Sequence, residues 1–478
     1  MSDRKPLVLD VDGTFLRTDL LLECFWAGLG RAPRATLAAA FGNLSDRAAL
    51  KRALARIAPP QIDLLPLRAE IAERALAARE EGREVVLASA SDAELVAALA
   101  AQYDLSGDSL GSDGRTNLKG DAKAQALKAA YGGRGFDYAG DSTADRAVWQ
   151  AADRALIVGN HPRIAADLTA AGHSVDMIQD GWRWRDLVRA LRPHQWIKNV
   201  LLFLPMLASH DFTLSTFLLV LAGMAVFSAA ASCIYIVNDL LDLEADRLHP
   251  TKRTRPFAAG SVPIGVGMAA SGALALLALG GGAALGPAFL GVIVLYVTLS
   301  LGYSLRLKRM RWIDIATLAT LYTLRVMAGA AAGGAEASFL MLVFVFPVFL
   351  TLGCVKRMTE LALATNDERL PGRGYGRADR GDLLNVASLG IVGALVIFFA
   401  YSMTEQAQTL YPSRWLLWVA LVPLAAWLIR MVLLGYRGKQ DYDPIVFALR
   451  DKTGLGLIFF TLSLMLYGAG LWQKWFGF

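Results

Sequence analysis

Asp10-Val11-Asp12-Gly13-Thr14 sets two carboxylates two residues apart, directly after the apolar run Leu7–Leu9. Past the end of a parallel strand, both would point into the crevice where α/β sheets bind ligands. There Asp10 can act as a nucleophile, passing through an aspartyl-phosphate, and Asp12 can shuttle the proton. Such chemistry needs a cation to screen carboxylate from phosphate. A second acidic site follows in Gly140-Asp141-Ser142-Thr143-Ala144-Asp145. Ser89 ends the strand-like run 85–88, and Lys119 and Lys123 both offer charge to a phosphate; spacing does not choose between the lysines. Taken alone, the first motif equally describes a cation-binding loop. The four elements in this order are more specific.

A second constellation is Asn238-Asp239-Leu240-Leu241-Asp242-Leu243-Glu244-Ala245-Asp246. Helical spacing puts Asp239, Asp242 and Asp246 on one face. Three converging carboxylates repel unless they hold cations, and oxygen-only ligands suit Mg²⁺ bridging a diphosphate. His249-Pro250-Thr251-Lys252-Arg253-Thr254-Arg255-Pro256 follows at once, so Lys252 and Arg255 can bind the same phosphates. Further along stand Tyr303, Arg306 and Lys308, then Arg325 within an apolar run, then Lys356-Arg357-Met358-Thr359-Glu360. An ionisable group at membrane depth is functional by default, which favours a phosphate ligand at Arg325 over a structural partner such as Asp314.

The elements that must position these groups divide the chain in two. Short apolar runs at 7–9, 85–88 and 155–158 alternate with helical stretches, the pattern of a parallel-sheet α/β domain. A domain of residues 1–185 is expected, with a helical insertion at about 15–80. Trp182, Trp184 and Trp196, interleaved with arginines, suit a segment at the headgroup level. From 197 to 473 apolar runs recur, several near the 20 residues of a bilayer crossing, so 186–478 reads as an all-α bundle of about nine spans.

Charge agrees with that division. Of 478 residues 55% are hydrophobic, and the formal net charge is +6. Up to Arg192 there are 25 basic and 26 acidic residues, and beyond it 23 and 16. The basic excess therefore lies in the apolar half, which argues against a nucleic-acid binder. Arg247, Lys252, Arg253, Arg255, Arg306, Lys308, Arg309, Arg311, Arg369, Arg373, Arg377 and Arg380 fall in alternate loops, the positive-inside pattern. The first residues do not read as a secretory signal. The expectation is a multi-pass protein of the inner (cytoplasmic) membrane, with the N-terminal domain and both sites cytoplasmic and the C-terminus opposite. Cys24, Cys233 and Cys354 form neither a disulfide framework nor a zinc spacing.

Residues 5–180 resemble the haloacid-dehalogenase (HAD) phosphatase superfamily through Asp10-Val11-Asp12-Gly13-Thr14, Ser89, Lys123 and Asp141. The resemblance implies a HAD-like, Rossmann-like α/β fold with a helical cap. It implies Asp10 as nucleophile and Asp12 as acid/base, both at the metal. Ser89 becomes the phosphate-binding hydroxyl, Lys123 the third-motif lysine and Asp141 the magnesium ligand, supported by Asp145.

Residues 190–478 resemble the UbiA superfamily of intramembrane prenyltransferases, whose first motif is NDxxDxxxD. The continuation from His249 to Gly260 is closer to its decaprenyl-phosphate 5-phosphoribosyltransferase branch. The second DxxxD of the aromatic prenyltransferases is missing; Lys356, Arg357 and Glu360 stand in that loop, and the number of metal ions stays open. By resemblance Asn238, Asp239, Asp242 and Asp246 bind magnesium with phosphoribosyl diphosphate (PRPP), the basic residues hold phosphates, and a polyprenyl phosphate is the acceptor. Its product keeps a 5-phosphate, a substrate for a fused phosphatase, so a bifunctional enzyme supplying lipid-linked sugar donors to the cell envelope is the expectation. Alternatives are an aromatic prenyltransferase with a regulatory HAD domain, and a lipid transporter or scaffold. A homo-oligomer is compatible with either enzyme reading.

Overall fold

The computed structural model describes residues 4–334, 339–364, 374–440 and 443–477; Arg369 and Arg373 lie outside them. The chain forms two compact units, Met1–Leu191 with Tyr235–Ser271, and Arg192–Ile234 with Gly272–Phe478.

The first unit is built on a six-stranded sheet: β1 (Leu7–Leu9), β2 (Val85–Asp92), β3 (Leu110–Ser112), β4 (Asp137–Gly140), β5 (Arg154–Val158) and β6 (Ser174–Ile178). Their order is β3-β2-β1-β4-β5-β6 and every pairing is parallel. Side chains alternate across a strand, so Leu7 and Leu9 pack into one apolar layer with Val85 and Leu87, while Val8 joins Val86, Ala88 and Tyr138 in the other. Burial on both faces is why β1 and β2 read as continuous apolar runs. The short β3 and the half-exposed β6 lack that signal, and neither was expected.

Between β1 and β2 run α1 (Leu20–Arg31), α2 (Pro33–Gly42), α3 (Arg47–Ile57) and α4 (Ala69–Glu80), within the stretch expected to be helical. Asp19 caps α1 by accepting from Leu22 N–H, and Asp46 caps α3 by accepting from Ala48 and Ala49. Beyond β2 follow α5 (Ala93–Gln102) and α6 (Asp121–Tyr131). The segment Tyr235–Ser271 belongs to this unit. The guanidinium of Arg247 donates to both carboxylate oxygens of Glu23 on α1, at 3.1 and 2.5 Å, with side chains only 5% and 2% exposed. Thr18 Oγ1 donates to the same carboxylate, and Glu244 accepts from Arg31 and from the Gln61 amide.

Seven helices among the described residues are long and apolar enough to cross a membrane: Leu214–Leu241, Ile264–Leu285, Pro287–Leu305, Ile313–Gly333, Phe339–Leu363, Arg377–Ser402 and Trp415–Tyr436. The protein is a multi-pass membrane protein. The other two expected spans are shorter. The run near 197–209 becomes a tight helical stretch, Pro193–Phe203, followed by Leu204–Ser209, with Pro205 in its first turn. The last run gives Lys452–Gly468, of 17 residues.

Within the second unit, Gly329 lies against the backbone of Leu202: a Cβ there would sit 1.9 Å from the Leu202 carbonyl oxygen. Backbone cannot yield as a flexible side chain does, so Gly329→Ala is expected to destabilise the bundle by about 1–3 kcal/mol. Thermal unfolding in detergent measures it, and an unchanged midpoint would refute this packing.

Candidate functional site

The strand order reverses at β1, which pairs β2 on one side and β4 on the other. Ligands of open α/β sheets bind at the carboxyl ends of strands beside such a switch point. Asp10 follows β1 and Asp141 follows β4, so the fold delivers the two acidic motifs to one crevice. Carboxylate oxygens of Asp10, Asp141 and Asp145 all lie within 4.8 Å of one another, the one such acidic group found among the described residues. Gly13, at φ +75°, turns the chain under them; a Cβ there would stand 2.1 Å from an Asp141 oxygen.

Lys123 on α6 answers the open choice between lysines geometrically. Its Nζ donates to Asp10 Oδ1 at 2.9 Å, to Tyr138 OH at 2.9 Å and to Asp145 Oδ1 at 3.3 Å. Lys119 is exposed on the wall of the same cavity. Tyr138 OH donates to Asp145 at 2.7 Å. Burial opposes the Lys123 ammonium, but Asp10 and Asp145 outweigh it and hold its pKa above the ordinary lysine range.

Asp12 departs from the expectation of a shared metal set. Its carboxylate turns from the acidic group and accepts from Leu20 N–H at 2.7 Å, Ser91 Oγ at 2.5 Å and Ser89 Oγ at 3.2 Å. Ser89 is fully buried, whereas Ser91 lines the cavity. Residues i and i+2 of a strand share a face, so the alternation Ser89-Ala90-Ser91 carried a signal for Ser91 that the motif reading passed over. Three other contributors were not anticipated. Arg68 donates to the carbonyls of Gly13 (2.7 Å) and Thr14 (3.1 Å), bracing the turn that carries Asp10 and Asp12. His161 Nε2 lies 2.7 Å from the Asp141 carbonyl, and Tyr138 joins as above.

Asp10, Asp12, Arg68, Ser91, Lys123, Asp141, Asp145 and His161 line a cavity of about 1020 Å³. Burial pushes Asp10 up to about 7 with help from Asp145 and Asp12 and against Lys123; burial with Asp10 and Asp145 pushes Asp141 up to about 7, and burial with the neighbouring Asp19 pushes Asp12 up to about 6. Asp10, Asp141 and Asp145 thus crowd one another, with Lys123 bonded to the first and last, a donor set suited to a hard divalent cation.

The other constellation forms differently. The helix Leu214–Leu241 stops just short of Asp242, and a short helix Leu243–Leu248 continues the acidic segment. Asp239 and Asp246 are buried, and Arg255 Nη1 donates to both, at 3.1 and 2.6 Å. Arg255, expected on phosphate, thus supplies positive charge to two of the expected metal ligands. Burial raises the Asp246 pKa, and Arg255 works against that rise. Asn238 and Asp242 are half-buried, and Lys252 is exposed.

In the second unit Arg357 is fully buried. It donates to both Asp314 oxygens (2.5 and 2.9 Å), to Glu360 (2.5 Å) and to Tyr303 OH (3.0 Å). Asp314, suggested by sequence as a partner of Arg325, therefore pairs Arg357. Arg325 donates to Asn199 Oδ1 (3.0 Å) and to the Leu321 carbonyl (2.7 Å), and lies over the rings of Phe227, Tyr296 and Tyr322. Both guanidinium groups have protein partners without any phosphate. Arg306 is exposed and Lys308 and Lys356 are half-buried.

Two outcomes are expected. Asp10 and Asp141 have folded pKa values above the usual carboxylate value near 4, so each favours the fold in its protonated form. Their stabilisation is complete below about pH 4 and disappears as pH rises through 7. Without divalent cations, hydrogen-exchange protection of β1 and β4 should fall over that window, and Asp141→Asn should flatten the fall; a pH-independent profile would contradict the electrostatics. Arg357→Met leaves Asp314 buried and unpaired at a cost of about 3–5 kcal/mol, partly recovered in Arg357→Met/Asp314→Leu. A double variant no more stable than the single one in a detergent melt would remove the ion pair as the cause.

Residues 200–363 match the family model described as the UbiA prenyltransferase family. The uncharacterized protein y4nM of Sinorhizobium fredii is 35% identical over 465 residues, covering 94% of this chain and 89% of that protein. The decaprenyl-phosphate phosphoribosyltransferase of Mycobacterium tuberculosis is 32% identical over 279 residues, covering 56% of this chain and 88% of its own. Among solved structures, a UbiA homolog from Archaeoglobus fulgidus bound to GPP and Mg²⁺ aligns at 16% identity over 59% of this chain and 99% of that one, with a TM-score of 0.45. By the extent and identity of these sequence matches, the chain belongs to the UbiA prenyltransferase family.

Proposed function

We propose that the protein is a bifunctional membrane enzyme: its UbiA part transfers 5-phosphoribose from PRPP to a polyprenyl phosphate, and its N-terminal part, a HAD-type phosphatase, removes the 5-phosphate. The observation that carries the pairing is the clustered group Asp10, Lys123, Asp141 and Asp145, carried on a chain whose remainder is similar to decaprenyl-phosphate phosphoribosyltransferases. A phosphoribosyl product bears a phosphomonoester, which is what an aspartate nucleophile beside a lysine attacks. The proposed division is 1–185 for the phosphatase, with its cap at about 15–80, and 186–478 for the transferase.

In the transfer step the polyprenyl phosphate oxygen attacks C1 of the ribose, the bond from C1 to the diphosphate breaks, and pyrophosphate leaves. Asp239, Asp242 and Asp246, with Asn238 beside them, would hold magnesium. Arg255 and Lys252 follow on the same segment and supply donors to the departing diphosphate. In the second unit Tyr303, Arg306, Lys308, Arg325, Lys356, Arg357 and Glu360 are assigned to phosphate binding or to its support. The contacts of Arg357 and Arg325 give these two the supporting part.

In the phosphatase step Asp10 attacks phosphorus and forms an acyl phosphate, while Asp12 gives its proton to the departing ribose 5-oxygen. Water then attacks the same phosphorus, Asp12 takes its proton, and inorganic phosphate is released. The raised pKa of Asp12, about 6, suits a group that must carry a proton near neutrality. Asp12 is held by Leu20 N–H, Ser91 and Ser89; Ser89 is assigned to phosphate, and Ser91, which lines the cavity, would join it. Bound by Asp10 and Asp141, with Asp145 behind, magnesium would screen the carboxylates from the phosphate. A cytoplasmic position for both sites, in an inner membrane, is part of the proposal and rests on the basic loops.

Incubation of the purified chain with PRPP, polyprenyl phosphate and Mg²⁺ should release pyrophosphate and yield polyprenyl-phospho-ribose. Asp10→Asn should stop at the phosphorylated lipid, seen by mass spectrometry. No pyrophosphate release rejects the transferase; unchanged dephosphorylation in Asp10→Asn removes Asp10 from the chemistry.

A further inference from the structure

The cavity above Asp10 holds more positive charge than one phosphomonoester requires. Lys123 is engaged by Asp10 and Asp145, and Arg17 and Arg68 by Asp180. Arg47, Lys51 and Lys119 line the same cavity, and no carboxylate among the described residues lies within salt-bridge distance of them. Arg47 and Lys51 are four residues apart on α3, so they share a helical face. Lys119 comes from the loop before α6, two residues beyond Asn117, the residue that Lys51 itself bonds.

Lys51 is the best placed of the three. Its Nζ donates to the Ala90 carbonyl at 2.6 Å and to Asn117 Oδ1 at 3.0 Å. Those two oxygens are neutral, and an ammonium has three donors, so one donor and the full charge remain for an anion. The bond to Ala90 fixes the ammonium next to Ser91, on the strand end that also serves Asp12. Burial lowers the Lys51 pKa, Asp12 and Asp19 oppose that, and Lys119 and Arg47 add to the lowering. The three cations are close enough to repel, which an incoming anion relieves.

We propose that Arg47, Lys51 and Lys119 form a second anion subsite, which takes a second phosphate group on the molecule whose phosphomonoester sits at Asp10. The inference rests on the phosphatase reading and deepens it: in that substrate the second phosphate is the diester joining ribose C1 to the lipid. The subsite makes the cavity selective for a ribose phosphorylated at both ends over a simple sugar phosphate.

The test uses the full-length protein with Mg²⁺ and two soluble substrates, ribose 5-phosphate and its 1-(methyl phosphate) diester. The methyl group keeps any lipid chain from contributing affinity. The diester should be hydrolysed with a kcat/KM about tenfold higher, mainly through KM, as one charge-assisted contact allows. Lys51→Gln should reduce that preference about tenfold. Lys51 also braces α3 against β2, so Arg47→Gln, exposed and without such a bond, is the second variant; its preference should fall about threefold. Equal kcat/KM for the two substrates, or a preference unaltered in both variants, overturns the subsite and leaves the phosphatase standing. Release of phosphate from neither substrate overturns the phosphatase reading and the subsite with it.

Discussion

A carboxylate withdrawn from water must meet positive charge or keep a proton, and the functional architecture of this protein is organised around that demand. Buried acids recur among the described residues, and three of these places show a cation coming to meet them. Lys123 reaches Asp10 and Asp145 at the strand ends, Arg255 spans Asp239 and Asp246 after the first long apolar helix, and Arg357 grips Asp314 among the spans. They differ in how fully the demand is met. Asp314 has two hydrogen bonds from one guanidinium and a third from Tyr303, a closed arrangement that holds helices together. Lys123 is divided between Asp10 and Asp145, and Asp10 and Asp141 both keep raised pKa values. Their oxygens are short of counter-charge locally, although basic side chains line the cavity around them, and a divalent cation suits that local deficit.

The sheet creates that shortage. Parallel strands β1 and β4 end side by side at the reversal of strand order, so two acidic turns with unrelated sequences meet without either being a metal motif alone. Arg68 then ties the first turn through backbone carbonyls, and the Asp12 carboxylate is drawn aside by the α1 N-terminus and two serines. Neighbouring carboxylates two residues apart thereby acquire different surroundings, which is what separate nucleophile and proton-carrier roles require.

Sequence reading reached this far where the physics was local. Continuous apolar runs marked β1, β2 and β5, and helix-length apolar runs marked seven spans, because both signals live in adjacent residues. The order of short acidic and basic motifs was enough to group Asp10, Lys123, Asp141 and Asp145. It failed where partners are distant or where a polar residue has two possible fates. Glu23 and Arg247 are 224 residues apart, and nothing in either neighbourhood announces the other. Charge and position point to phosphate for Arg325 and Arg357, but charge alone does not distinguish a ligand from a group held by internal partners, as these two are. The 197–209 run was read as a span from its apolar content, while Pro193 and Pro205 and its brevity give a bent, tighter segment.

The first unit is not continuous in sequence: Tyr235–Ser271 belongs to it although residues 192–234 do not. During synthesis, α1 is therefore made long before the arginine that neutralises Glu23. A nascent chain released from the ribosome near residue 192 would carry a finished sheet but an exposed acid and an unsealed α1. The unit can close only after the helix beginning at Leu214 has been synthesised. The order of translation thus makes completion of the N-terminal fold wait on a membrane-length helix, and a chain cut near residue 192 loses part of its own fold.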